Sequence, residues 1–74
     1  RKVLAEALAT LNPRQRMVVL RRRADDEPVT LEALGAELGV TKERVRQIEN
    51  AALEKMRDYI MAALGDAELE GLMP

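Results

Sequence analysis

Polar side chains that can form paired hydrogen bonds line one face of a predicted helix after Thr41. At about 100° per residue, this face gathers Glu43, Arg46, Gln47, Asn50, Glu54 and Arg57. Arginine suits the edge of guanine, glutamine and asparagine suit adenine, and glutamate suits the cytosine amino group. The pattern indicates recognition of base edges in DNA. The alternative, which holds for most helices, is a solvated face with ordinary charge pairs.

The same inventory argues against catalysis and metal binding. The 74 residues include no histidine and no cysteine, so the commonest general base and the classical zinc ligands are missing. Glu43 and Glu49 lie six apart and point in different directions, so they form no carboxylate pair. With no glycine-rich phosphate loop either, we expect no enzyme, no metal and no cofactor. The lack of cysteine fits a reducing cytoplasm, and the apolar runs are too short for a membrane span or secretory signal.

Small and apolar residues before this helix indicate how its polar face is held in place. In a first helix from Leu31, Leu34 and Leu38 lie four apart on one face. Gly35 lies between them, where the second helix must cross closely and a side chain larger than alanine would push the helices apart. Gly39 follows where the chain must leave by a left-handed turn, which glycine adopts at little cost. This spacing is typical of a helix-turn-helix.

The second helix of the pair has an apolar face opposite its polar one. Val40 can fill the corner from the turn, and Thr41 can cap the helix by accepting a hydrogen bond from a free backbone N–H. The apolar face gathers Val45, Ile48, Ala52, Met56, Tyr59 and Ala63. Because this face supplies the packing that a helix-turn-helix needs, the pattern favours base recognition over a merely solvated surface.

One small all-α domain is predicted from the length and the helix signals. Phe and Trp are absent, so Leu, Val, Ile, Met and Ala must form the core, which suits a compact four-helix bundle with a long C-terminal recognition helix. Asn12 followed by Pro13 is a strong helix start. The predicted helices cover residues 2–10, 13–24, 31–38 and 42–64, with Gly65 as the stop. We expect a DNA-binding domain over residues 1–64 and an acidic tail over 65–74.

Charge is distributed unevenly along the chain, although the formal net charge is only −1. Residues 14–23 hold five arginines and no acid, residues 41–57 hold five bases against three glutamates, and residues 58–74 hold four acids and no base. Phosphate neutralisation supplies most non-specific affinity for DNA, so this balance predicts weak non-specific binding by the domain alone. The start at Arg1 rather than Met predicts a piece of a longer protein, and tethering would offset the weak binding.

A family resemblance covers roughly residues 3–64. The stretch TLEALGAELGVTKERVRQIENAALEKMR, residues 30–57, resembles region 4 of a bacterial RNA polymerase sigma factor. Its most distinctive string is ERVRQIE, residues 43–49, and LNPRQRMVVLRRR, residues 11–23, is similar to the start of the same region. The connection RADDEPVTL, residues 23–31, looks more like the heat-shock type of sigma factor than the housekeeping type.

The resemblance implies that this helix reads the minus-thirty-five promoter element. The matching base-contacting positions are Lys42, Glu43, Arg46 and Gln47. Lys42 stands where many members have arginine, and a point charge is a poorer guanine reader than a planar fork. We expect phosphate contacts from Thr30, Arg44, Arg21, Arg23 and Arg57. For the arginines after Val19, stabilisation of the helix C-terminus by the helix dipole is the alternative.

The family also implies a second partner, the RNA polymerase core. Region 4 docks onto the flap-tip helix of the polymerase β subunit through an apolar groove. In this chain we expect the first two helices to form that groove, with Leu4, Leu8, Leu11, Val18 and Val19 as its members. For each of these residues, ordinary core packing is the alternative.

Promoter recognition by a monomeric module without catalysis is the leading hypothesis. One alternative is a response-regulator-type output domain, a class that commonly dimerises. Another is a sigma-like interaction domain that binds an anti-sigma factor and never touches DNA. Glu43, Arg46 and Gln47 argue against the second alternative, because such a domain has no need of them. An anti-sigma factor is also an expected partner of a DNA-binding sigma domain.

Overall fold

The computed structural model describes the backbone of residues 2–72 and the side chains of residues 2–65. Its elements are α1 (Lys2–Ala9), α2 (Pro13–Val19), a π-helical turn (Leu20–Ala24), α3 (Leu31–Leu38) and α4 (Lys42–Leu72). The described residues contain no strand. The prediction of an all-α, four-helix domain with a long last helix is therefore confirmed.

The start of α2 follows its sequence signal closely. The Asn12 side chain accepts a hydrogen bond from the Gln15 N–H at 2.8 Å, and the Asn12 N–H donates to the Gln15 side chain at 3.1 Å. Pro13 occupies the first turn, where its missing N–H removes no helical hydrogen bond. This reciprocal cap fixes where α2 leaves the loop after α1.

Helix α4 continues beyond its predicted end. It runs through Gly65 to Leu72, so the expectation that Gly65 stops the helix is wrong. Glycine ends a helix where the backbone turns left-handed, and in the described residues only Gly39 has a positive φ. In the predicted acidic tail, residues 65–74, the side chains after Gly65 lie outside the described residues. Neither α4 nor any other described helix combines the length and apolarity needed to cross a membrane.

Two apolar clusters lie along α4, which packs against each of the other three helices. The cluster toward α1 comprises Ala7, Leu11, Val19, Ala52 and Met56. The cluster toward α3 comprises Val18, Leu34, Val45 and Ile48. Since α2 contributes to both, it joins the two clusters and holds α1 and α3 against one face of α4.

Candidate nucleic-acid interface

The turn between α3 and α4 is closed by backbone contacts around two glycines. Gly39 has a φ of 73°, in the left-handed region as predicted, and the Val40 N–H donates to the Gly35 carbonyl oxygen at 2.9 Å. A Cβ on Gly35 would lie 2.7 Å from the Val40 carbonyl oxygen and 3.3 Å from the Lys42 nitrogen. The expectation that alanine would fit at Gly35 is wrong, because the backbone of the turn occupies that space.

Both helices of the motif begin at a threonine cap, as predicted. The Thr30 hydroxyl accepts a hydrogen bond from the Ala33 N–H at 3.0 Å, and the Thr41 hydroxyl accepts one from the Arg44 N–H at 3.1 Å. Val45, one turn into α4, is fully buried. The caps and this buried residue fix both the starting point of α4 and the side of the helix that faces solvent.

All four residues predicted to read bases are exposed on the first two turns of α4. They are Lys42, Glu43, Arg46 and Gln47. Arg46 Nε donates to Glu43 Oε1 at 3.0 Å, and Arg46 Nη2 donates to the other carboxylate oxygen. Arg44 Nη1 donates to Gln47 Oε1 at 3.4 Å. Of the four, only Glu43 and Arg46 therefore bind each other, whereas Lys42 Nζ lies 3.9 Å from the Glu32 carboxylate of α3.

Glu43 and Arg46 form a charged pair at the centre of this face. The hydrogen bond from Arg46 lowers the pKa of the Glu43 carboxyl, and the Glu43 carboxylate raises the pKa of Arg46. Both groups are thus charged at neutral pH, and both side chains are at least half exposed. The pair presents carboxylate acceptors beside guanidinium donors, which match the cytosine and guanine of one base pair. Residues 2–65 contain no cluster of acids that could hold a metal ion.

A cleft of about 150 Å³ separates the start of α2 from the exposed face of α4. Its lining includes Asn12, Arg14, Gln15, Arg44, Gln47, Ile48 and Ala51. It brings the guanidinium-bearing residues Arg14 and Arg44 to one site beside Gln47. The sequence alone does not point to Arg14, since no local signal reveals that the first turn of α2 lies beside α4.

Two of the predicted phosphate contacts are held by acids of the helix-turn-helix. Arg21 donates to both carboxylate oxygens of Glu37 in α3, at 2.6 and 3.0 Å, and Arg23 Nε donates to Glu49 Oε2 in α4 at 3.0 Å. Phosphate would have to compete with a carboxylate at each arginine.

The remaining phosphate candidates differ in their surroundings. Arg57 is exposed and lies 3.2 Å from the Asp58 carboxylate. Thr30 is exposed, but its hydroxyl already caps α3. Arg44 is exposed and bonds only weakly, at 3.4 Å, to its neighbour Gln47. Arg44 is thus the candidate that phosphate could engage with the least rearrangement.

The predicted partner groove is divided between surface and core. Leu4 is 48% exposed, and Leu8 is half-buried against the cluster toward α1. Leu11, Val18 and Val19 are 3%, 0% and 5% exposed. The groove assignment is wrong for these three residues, because they fill the space between α1, α2 and α4.

Several known proteins are similar to this chain in sequence. Residues 7–58 match the sigma-70, region 4 family. The chain is 46% identical over 68 residues to RNA polymerase sigma factor RpoH of Zymomonas mobilis, covering 92% of this chain and 22% of that protein. It is 49% identical over 61 residues to RpoH of Caulobacter vibrioides (82% and 21%). It is 32% identical over 66 residues to the sigma-B factor of Myxococcus xanthus (89% and 27%). No solved structure matches the chain significantly.

These matches define what kind of domain this is. The chain spans about a fifth of the length of the RpoH proteins it matches. Its identity to them exceeds its identity to the sigma-B factor, which supports the resemblance to the heat-shock type. Sigma factors are not enzymes, so the family supports the expectation that this domain is not an enzyme. The chain belongs to the region 4 family of sigma-70 factors.

Proposed function

We propose that this domain reads the minus-thirty-five promoter element as the C-terminal module of an RNA polymerase sigma factor, and so directs transcription initiation. One observation carries the proposal. Glu43, Arg46 and Gln47 lie exposed on the first two turns of a helix whose opposite face is buried. The N-terminal turns of such a helix are the part that enters the major groove. The names of the relatives as RNA polymerase sigma factors support the same role.

To recognise bases, the side chains on this face must give up hydrogen bonds to one another and form hydrogen bonds to base edges. In the groove, Arg46 would donate to guanine O6 and N7, Gln47 would bond adenine, and Glu43 would accept from the cytosine amino group. Arg46 now directs its fork at Glu43, so binding must redirect that fork toward a base. Since the pair is exposed to water, the exchange costs little. Lys42 would contribute electrostatic attraction to DNA more than selectivity among bases, because its ammonium is a point charge.

The phosphate contacts are assigned chiefly to Arg44 and Thr30. Arg44 lies beside Arg14 in the cleft between α2 and α4, where two positive charges would flank one strand of DNA. Thr30 begins α3, whose N-terminal N–H groups and dipole favour a phosphate oxygen. Arg57 extends this contact farther along α4. Arg21 and Arg23 contribute only where phosphate displaces Glu37 or Glu49.

The other partner is proposed to be the RNA polymerase core, through the β-subunit flap-tip helix. Of the expected groove residues, Leu4 and Leu8 are the ones with accessible surface, so docking would centre on α1. An anti-sigma factor could use the same apolar surface. The domain is proposed to act as a monomer in the cytoplasm, where promoter DNA and polymerase are found.

Binding to two short duplexes tests promoter recognition. One duplex carries a TTGA-type minus-thirty-five element and the other a scrambled sequence, both at low salt. Wild type should prefer the element, and Arg46→Ala or Gln47→Ala should each lose about 1–3 kcal/mol of that preference. The matched control for Arg46→Ala is Lys55→Ala, which also removes one positive charge from an exposed position on α4.

The control separates charge from base reading. Lys55→Ala should weaken binding to both duplexes by the same small factor, because a distant charge acts without regard to sequence. Direct reading by the domain alone would be ruled out if wild type bound both duplexes equally and neither Arg46→Ala nor Gln47→Ala changed that binding. The flap-tip helix and anti-sigma proteins would then be tested before any other DNA.

A further inference from the structure

Glu49 is the one charged residue that is buried among the side chains of residues 2–65, at 3% exposure. Both of its carboxylate oxygens accept hydrogen bonds from arginines of the π-helical turn. Oε1 accepts from Arg22 Nε at 3.3 Å and Nη2 at 3.2 Å, and Oε2 accepts from Arg23 Nε at 3.0 Å. The proposed promoter reading assigns Glu49 no part, since the residue is buried.

The arginines connect Glu49 to the rest of the helix-turn-helix. Arg22 Nη1 also donates to the Val29 carbonyl oxygen at 3.0 Å, in the loop that leads into α3. The Val29 N–H in turn donates to the Arg21 carbonyl oxygen at 3.2 Å. The π-helical turn thus binds α4 through Glu49 and binds the loop before α3 through Val29. We refer to Arg22, Arg23 and Glu49 as the carboxylate clamp.

The position of the clamp on α4 bears directly on base reading. Glu49 lies three residues after Arg46, so the two are neighbours on the helix surface, about 60° apart. One side of Glu49 therefore adjoins the buried stripe that contains Val45, and the other adjoins the base-reading face. A restraint at this point opposes rotation of α4 about its own axis.

Rotation matters because side-chain tips lie about 6 Å from a helix axis. A 10° rotation would move each tip by about 1 Å, which exceeds the roughly 0.5 Å tolerance of a hydrogen-bonding site. The hydrophobic driving force itself is non-directional, so a directional contact adds to the restraint that the packed side chains supply. Two guanidinium groups on one carboxylate are directional.

We propose, on the basis of the promoter-reading function above, that Glu49 is a positioning residue. Held by Arg22 and Arg23, it fixes the rotation of α4 so that Arg46 and Gln47 meet base edges. A buried ion pair is a weak source of stability, because desolvation offsets much of the attraction. Orientation of the reading helix is the property that this arrangement secures.

The test compares binding of the 74-residue chain to the element duplex and to the scrambled duplex. Glu49→Gln keeps the side-chain volume but leaves one carbonyl oxygen where two carboxylate oxygens bound arginines. The ratio of the two affinities should fall roughly three- to tenfold, less than for loss of a direct base contact. Tyr59→Phe is the matched control, because it removes the 2.7 Å hydrogen bond to Glu6 at the other end of the domain. It should leave the ratio at the wild-type value.

The affinity ratio distinguishes positioning from simple stability. Circular dichroism would establish that each variant is folded at the temperature of the binding assay. A folded Glu49→Gln protein with the wild-type ratio would overturn the proposal. If wild type itself fails to discriminate between the duplexes, the promoter-reading function fails and the clamp proposal fails with it.

Arg23→Gln provides a second variant in case Glu49→Gln does not fold. The Arg23 side chain is 57% exposed, so its loss leaves no buried charge without a partner, since Arg22 still binds Glu49. The affinity ratio should fall about twofold or more. Loss of a phosphate contact alone would instead weaken both duplexes equally and leave the ratio unchanged, which would overturn the proposal.

Discussion

Replacing Gly35 with alanine should destabilise the domain, although alanine is the better helix former. The added Cβ would lie 2.7 Å from the Val40 carbonyl oxygen, whereas ordinary carbon–oxygen contacts are about 3.3 Å or longer. The turn would have to shift by roughly 0.6 Å. Forcing an extra methyl group into a packed site costs about 1–3 kcal/mol. The gain in helix propensity offsets at most about 1 kcal/mol of this.

Gly65→Ala is the matched control for this substitution. It makes the same chemical change in α4, where no described atom beyond the adjoining residues and the helix's own backbone lies within 4 Å of the added Cβ. We expect this variant to be more stable than wild type by about 0.5–1 kcal/mol. The difference between the two variants then isolates the steric cost at the turn. Gly65→Ala also tests the continuity of α4, because alanine would be unfavourable if the helix ended there in a left-handed turn.

Thermal unfolding followed by circular dichroism measures both effects. A difference of 1 kcal/mol corresponds to about 4–8 °C in the midpoint temperature of a domain this small. Gly35→Ala should therefore unfold at least about 4 °C below Gly65→Ala. Equal midpoints, or a higher midpoint for Gly35→Ala, would refute the argument that the backbone of the turn excludes a side chain at this position.

Three further predictions concern the core, the helix cap and the response to acid. Leu34→Ala should cost about 2–5 kcal/mol in urea unfolding, because Leu34 is fully buried, whereas Leu4→Ala should cost less than about 1 kcal/mol. Thr41→Ala should cost about 1 kcal/mol by the same measurement and reduce the helical circular dichroism signal, through loss of the cap of α4. Arginine partners lower the pKa of Glu37 and Glu43 below the ordinary 4.5, so these carboxylates stabilise the fold above that pH. That contribution is lost as the pH falls through their folded pKa values. As the pH is lowered, the midpoint temperature of unfolding should fall less for the double variant Glu37→Gln/Glu43→Gln than for wild type.

The features that the sequence predicts well are those set by neighbouring residues. The side chains of Asn12, Thr30 and Thr41 each cap a helix by accepting a hydrogen bond from the backbone N–H three residues later. Gly39 ends α3 through its own left-handed φ. The faces of α4 follow from the helical period alone. For the same reason, the exposed polar face could be predicted before any tertiary contact was known.

The features that the sequence did not predict depend on residues far apart in the chain. Glu49 bonds to arginines 26 and 27 positions earlier, and a glutamate beside Asn50 looks like any other surface acid. The groove residues Leu11 and Val18 show the converse problem, because apolar periodicity does not indicate whether a partner or the domain's own core covers them. The predicted end of α4 at Gly65 was wrong because glycine weakens a helix without requiring it to stop.

The arginine-rich stretch of residues 14–23 illustrates why counting charges overstates the DNA-binding surface. The Arg16 guanidinium donates to the carbonyl oxygens of Leu8 in α1 and Leu11 in the connection that follows. The three arginines of the π-helical turn bind Glu37 and Glu49. Most of this positive charge therefore joins helices to one another. In the proposed DNA binding, attraction to phosphate would be left mainly to Arg14 and to the basic residues of α4, so sequence-independent affinity should be low. A module of this kind would depend on base contacts to distinguish promoter sequences. It would depend on tethering to polymerase to occupy the promoter.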